Sequence, residues 1–149
     1  MRRIKTDSPS QQWYNDVKKR GFTADYTHPQ TKHLEPLKQK LLEIGGWAVC
    51  LPVFEEDYDK IMTRGRRFPR NKKMIRGENN QCHNNSTFLW DEFGYQICTG
   101  YALTKDGMWR QHSWCFHDNT VIETTVSRVQ YFGFIMTHEE AEQFFWDNY

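Results

Sequence analysis

Residues 108–125 read MWRQHSWCFHDNTVIETT, and how this stretch folds back on itself decides the architecture. Met108–Phe116 reads as a strand, bounded by the turn residues Asp106-Gly107 before it and Asp118-Asn119 after it. Asp118 and Asn119 are residue types that accept the positive φ of a tight hairpin turn, and a second strand-like run, Val121–Val126, follows them. A two-residue turn there pairs Phe116 with Val121, Trp114 with Glu123 and His112 with Thr125. His112 and Glu123 then share one face as diagonal neighbours. Diagonal cross-strand carbons lie roughly 7–8 Å apart, within reach of an imidazole and a carboxylate. A slip of one residue would send them to opposite faces.

Working outward, Tyr95–Leu103 reads as another strand, joined to the first by a turn over Thr104–Gly107. Gln130–Met136 is a further strand. Thr137 and Glu140 form a capping box for a C-terminal helix carrying Phe144 and Phe145. Upstream, Cys82–Phe93 has helical spacing, with Phe88, Leu89, Trp90 and Phe93 on its buried side and Gly94 as the stop. The first half holds a short helix over Ser10–Lys19, a break at His28-Pro29 and a helix over Leu34–Ile44 ended by Gly45-Gly46. A strand-like run over Trp47–Phe54, with Pro52 marking an edge or an end, and helical turns over Glu55–Met62 follow. Helices, a meander of strands and a closing helix predict an α+β domain, with the helix that begins at Cys82 packed on an antiparallel sheet. The length of 149 residues fits one domain over 1–149.

Charge divides the chain. Residues 1–76 hold 17 Lys/Arg against 9 Asp/Glu, and residues 77–149 hold 3 against 10. The first part is therefore a basic N-terminal half and the second the core that carries the site residues. The densest basic run, RGRRFPRNKKMIRG over 64–77, is broken by Gly65, Pro69 and Gly77, which predicts a loop or irregular edge. Arg66 and Arg67 in it are candidate substrate contacts, and a nucleic acid or other polyanion is a candidate partner. No apolar run approaches the roughly 20 residues of a membrane span, and no apolar run follows the first charged residues. Four scattered cysteines do not make a disulfide scaffold, so a reduced, cytoplasmic protein is expected.

Cys82 is the candidate nucleophile. It sits at the predicted first turn of its helix, where unpaired backbone N–H groups and the positive end of the helix dipole favour a thiolate. Its neighbours Asn79, Asn80, Gln81, His83, Asn84 and Asn85 are polar, which favours exposure. With His112 taking the thiol proton and Glu123 fixing the imidazole tautomer, the three have the residue types of a Cys-His-acid triad. Asn80 and Gln81 are candidate oxyanion donors. Tyr101, Trp109 and Trp114 are candidate walls of a substrate cleft, although packing explains each equally well.

The segment CHNNSTFLWDEFGYQICTGYAL, followed by WRQHSW and VIETT, resembles the transglutaminase-like branch of the papain-like cysteine hydrolases. Cys82, Gly100-Tyr101, His112-Ser113-Trp114 and Glu123-Thr124-Thr125 match that pattern in order over about residues 79–126. Glu123 stands where Asp is commoner, and the spacing from His112 to the acid is short. The resemblance implies acyl transfer through a thioester on a protein or peptide amide, without a cofactor: peptidase, amidase, deamidase or transamidating chemistry.

Two other readings stand beside it. Cys98, Cys115 and His117 carry soft donors for a structural zinc site if a tight Asp106-Gly107 hairpin pairs the two cysteines, although a fourth ligand is missing. Alternatively, the chain is a non-enzymatic module whose basic run grips an anionic partner.

Overall fold

The structure, a computed structural model, describes residues 3–148. In chain order it contains α1 (Gln11–Lys19), a 3-10 helix (Pro29–Leu34), α2 (Glu35–Ile44), β1 (Ala48–Cys50), α3 (Tyr58–Arg64), β2 (Arg66–Arg67) and β3 (Lys72–Met74). There follow α4 (Cys82–Phe93), β4 (Gln96–Leu103), β5 (Met108–His117), β6 (Thr120–Glu123), β7 (Gln130–Ile135) and α5 (His138–Asp147). The fold class is α+β, with helices before and after a mixed sheet.

Local chemistry sets the helix ends. The α4 helix stops at Gly94, whose φ of 73° is the left-handed conformation of a glycine cap, and whose N–H bonds Trp90 O at 2.9 Å. At α5, Thr137 Oγ1 accepts the Glu140 N–H at 3.2 Å, and Glu140 Oε1 accepts the Thr137 N–H at 2.8 Å. This is the expected capping box.

The strand order is β2-β7-β4-β5-β6-β3, with β1 also paired to β5. Asp118 and Asn119 both have positive φ, 49° and 56°, as a tight hairpin turn demands. They set Phe116 opposite Val121 and Cys115 opposite Ile122, the register read from sequence. The sheet is not antiparallel throughout. Parallel pairs join β1 to β5 and β3 to β6. Both parallel partners come from the first half of the chain, whose long connections permit that direction.

The hairpin between β4 and β5 departs from expectation. Gly107, at φ 87°, takes up one extra residue, so Cys98 faces Trp114 and Ile97 faces Cys115. Cys98 and Cys115 therefore lie on opposite faces of the sheet, and the expected cysteine pair does not form. His117 is an exposed ring stacked on Tyr95. Among the described residues no group of three or more His, Cys, Asp or Glu is placed to hold a metal ion.

The basic run is not a loop throughout. Arg66-Arg67 pairs with β7 at one edge of the sheet, and Lys72–Met74 pairs with β6 at the other. Five residues from Arg67 to Lys72 reach at most about 18 Å. Five strand spacings on a flat sheet would separate those edges by about 24 Å. The sheet must therefore curl into an open barrel, and the crossing segment caps its concave face. Phe68 drops into that face against Trp114 and Phe116, with ring centroids 5.2 Å away in each case.

Cys98, Ala102, Trp114, Phe116, Val121 and Tyr131 complete this inner cluster. The outer face is covered in two parts. Leu37 and Leu41 of α2 and Ile61 of α3 pack on Tyr101, Leu103, Trp109, Phe132 and Phe134. Leu89 of α4 and Ala141 of α5 pack on Ile97, Cys115 and Ile122. Among the described residues no helix is long and apolar enough to cross a membrane.

Candidate active site

Glu123 ends β6 and is fully buried. Its carboxylate is surrounded by donors. His112 Nε2 lies 2.9 Å from Oε1 and 3.1 Å from Oε2, and the Tyr131 hydroxyl donates to Oε1 at 2.7 Å. Oε2 also accepts from the Thr124 N–H at 2.9 Å, the Thr125 N–H at 3.1 Å and the Thr125 hydroxyl at 3.2 Å. Burial pushes the carboxyl up, but His112 first, then Tyr131 and the Thr125 amide, pull it down to about 2.

An ionised carboxylate only accepts hydrogen bonds, so the Nε2 hydrogen of His112 points at Glu123. That leaves Nδ1 as the ring nitrogen not engaged by Glu123. The imidazole is 3% exposed and stacks on Trp114 at 6.1 Å. Burial works against its protonation, but its hydrogen bonds to Cys82 and Glu123 outweigh that and raise its pKa.

Cys82 is the first residue of α4 and half-buried. Burial pushes the thiol up. Hydrogen bonding and electrostatic pull from His112 and then His83 bring it down to about 5. The first helical hydrogen bond runs from Asn85 N–H to Gln81 O at 2.8 Å, so the N–H groups of Cys82, His83 and Asn84 point out of the helix start without a helical acceptor.

A gap in the sheet lets a helix on the outer face reach an imidazole of the inner face. On its β1/β6 side, β5 pairs with β1 at Met108–Arg110 and with β6 at Cys115–His117. Between these, the first turn of α4 approaches, and His83 Nδ1 lies 2.7 Å from Ser113 Oγ and 3.8 Å from Cys82 Sγ. The Ser113 hydroxyl donates onward to Thr99 Oγ1 at 3.0 Å. Asn85 fixes the approach: its Nδ2 donates to Glu78 O at 2.8 Å and its Oδ1 accepts the Glu78 N–H at 3.1 Å. The adjoining Gly77 N–H bonds Thr124 O at 2.8 Å, which ties the start of α4 to the residue next to Glu123.

The structure thus makes His112 and Glu123 a hydrogen-bonded pair and couples the Cys82 thiol electrostatically to that imidazole. It places the other candidates differently. Asn80, at φ 60°, and Gln81 are exposed in the turn before α4, and Gln81 Oε1 accepts from Asn84 Nδ2 at 3.0 Å. Among the described residues neither side chain hydrogen-bonds Cys82, and the backbone N–H groups of the helix start are the donors on hand for an oxyanion.

Tyr101, Trp109 and Trp114 are fully buried and are not walls of an open cleft. Tyr101 donates to Glu55 Oε1 at 3.0 Å, Trp109 Nε1 donates to Gly45 O at 2.9 Å, and Trp114 fills the inner cluster. Their apolar area is worth more inside a small core than at its rim. Arg66 and Arg67 line a groove of about 980 Å³ that does not have Cys82 among its walls.

Sequence reasoning assigned no role to Tyr131 and His83. Tyr131 meets His112 across β4 because Gly100 and Ala102, between them, are small. The signal was present in the small residues of Thr99-Gly-Tyr-Ala102, read against the neighbouring strands. A Cβ on Gly100 would stand 2.3 Å from Phe132 O, and one on Gly133 2.2 Å from Thr99 O, so β4 and β7 require glycine at both positions to approach this closely.

Compared with protein-family models, curated proteins and solved structures, the chain matches none.

Proposed function

We propose that this protein is a cysteine-dependent acyl-transfer enzyme acting on an amide through a thioester, of the transglutaminase-like type that residues 79–126 resemble. The observation that supports this best is the buried His112–Glu123 pair, Nε2 held by the carboxylate, beside a thiol at the start of α4 whose pKa that imidazole draws down. A cysteine in that setting is a thiolate at neutral pH, and the thiolate is the nucleophile.

In this reading Cys82 Sγ attacks the amide carbonyl carbon, and the N–H groups at the start of α4 stabilise the oxyanion. As the C–N bond breaks, the His112 imidazolium gives its proton to the leaving amine and a thioester remains. His112, now neutral, takes a proton from water or from an acceptor amine, whose attack on the thioester carbon returns Cys82 as thiolate. Glu123 keeps the tautomer and orientation of His112 throughout. Glu123 serves here as well as the commoner Asp because its longer side chain is folded back onto its own Thr124 and Thr125 amides.

The test is incubation with a panel of peptide amides and ester acyl donors, read by intact mass. A covalent adduct on Cys82, absent in Cys82→Ala and chased by hydroxylamine, is the expected result. No adduct with any acyl donor while Cys82 remains a free thiol would overturn the assignment.

A further inference from the structure

The groove lined by Arg66 and Arg67 has an unusual wall. Arg3, Lys5, Arg70 and Lys72 also line it, together with Ile4, Phe68, Pro69, Asn119, Val129, Gln130 and Tyr131, and no Asp or Glu does. Its cations come from four places in the fold. The residue between Arg3 and Lys5, Ile4, is pinned by a bridge to Gly45 and by its N–H to Ile44 O. Arg66 lies on an edge strand, Arg70 in the segment crossing the barrel mouth, and Lys72 on the opposite edge. Curling of the sheet is what gathers them.

Neutral groups hold these charges in place. The Arg66 guanidinium sits over the rings of Phe68 and Phe116, 5.0 and 5.2 Å from their centroids. Lys72 Nζ donates to Ser127 Oγ at 2.9 Å and to Arg128 O. Arg3 bonds the carbonyls of Leu42 and Gly46. Among the described residues none of Arg3, Lys5, Arg66, Arg70 and Lys72 forms an ion pair, whereas Lys60 and Arg64 both pair with Glu140. A concave site lined by one sign of charge concentrates anions of the other sign.

The kind of anion follows from what else lines the groove. Its two aromatic rings, Phe68 and Tyr131, are 3% and 2% exposed, so bases of a single strand have no face to stack on. None of its lining residues lies in a helix that could enter a duplex groove. Val129, 38% exposed, offers instead an apolar contact suited to a side chain. We infer that the groove docks an acidic polypeptide segment, rich in Asp or Glu, of the protein substrate whose amide meets Cys82. This identification of the substrate rests on the acyl-transfer reading above; the binding itself does not.

Fluorescence anisotropy of Cys82→Ala protein with a short fluorescein-labelled Glu-Ser repeat peptide tests it, with oligothymidylate of equal length as the comparison. Lys5 and Arg70 are exposed and their side chains hold no other part of the described chain by a hydrogen bond, so K5E/R70E is expected to leave the fold intact, which circular dichroism checks. Saturable peptide binding is expected, tighter than the oligonucleotide, weakened by salt and reduced at least about tenfold by K5E/R70E. Absence of peptide binding at low salt, insensitivity to K5E/R70E, or tighter binding of oligothymidylate would each overturn the inference. Reactivity of Cys82 with a small neutral electrophile, measured separately in the parent and in K5E/R70E, is expected to be the same. Its absence in both would fault the acyl-transfer reading and leave the docking result standing.

Discussion

His112 and Glu123 form a buried pair, Nε2 to Oε1 at 2.9 Å, on adjacent strands joined by a two-residue turn. The carboxylate is the hub: it also accepts from Tyr131, Thr124 and Thr125, so its position is over-determined. Glu123→Gln keeps the shape and removes the charge that sets the imidazole tautomer. Turnover is expected to fall by about 100-fold or more, judged by the larger loss when a serine triad loses its acid. Steady-state kinetics on any substrate found by the acyl-donor panel measures this, and parent-like turnover in Glu123→Gln would remove Glu123 from the mechanism.

The same carboxylate links stability to pH. Its folded pKa of about 2 lies below the 4.5 of an exposed glutamate, so its stabilisation is complete above about 4.5 and drains as pH falls toward 2. A shift of that size is worth on the order of 3 kcal/mol at neutral pH. Urea titrations of parent and Glu123→Gln should show a stability gap of that order at pH 6 that closes between pH 4.5 and 2. A gap that does not change with pH would mean that the carboxylate contributes shape alone.

Tyr131→Phe removes one donor to Glu123 and leaves the ring in the inner cluster. We expect a loss of about 1.5–3 kcal/mol, the range for a hydrogen bond to a charged group, with the fold retained. A denaturant midpoint unchanged within error would show that the hydroxyl does not hold the carboxylate.

Much of this arrangement was legible in sequence where the signals are local. Cys82–Phe93 was bounded by a polar start and Gly94, and Asp118-Asn119 fixed the register that carries His112 and Glu123 to one face. What was not legible depends on distant chain. The β2 and β3 strands are two and three residues long, basic, and formed only because β7 and β6 offer them edges. One bulged residue at Gly107 reversed the faces of Cys98 and Cys115 relative to each other. The aromatic residues Tyr101, Trp109 and Trp114 carry no local mark that separates a core residue from a cleft wall, and the curl of the sheet decided it.

Burial of those aromatics has its own consequence. Trp109→Ala should destabilise the protein by about 3–5 kcal/mol, the range for a fully buried large aromatic. Differential scanning calorimetry reads this directly. A Tm close to that of the parent, with a raised KM, would restore Trp109 to a substrate-binding role.

The thiol itself carries the central claim, and alkylation by iodoacetamide across a pH series, read peptide by peptide in the mass spectrometer, tests it. Burial pushes the thiols of Cys98 and Cys115 up, the latter to about 12, so both should stay unlabelled in the folded protein. Cys82 should label with an apparent pKa of about 5, and His112→Ala should move that transition upward. A Cys82 profile near the 8.5 of a free thiol, unchanged in His112→Ala, would contradict the account.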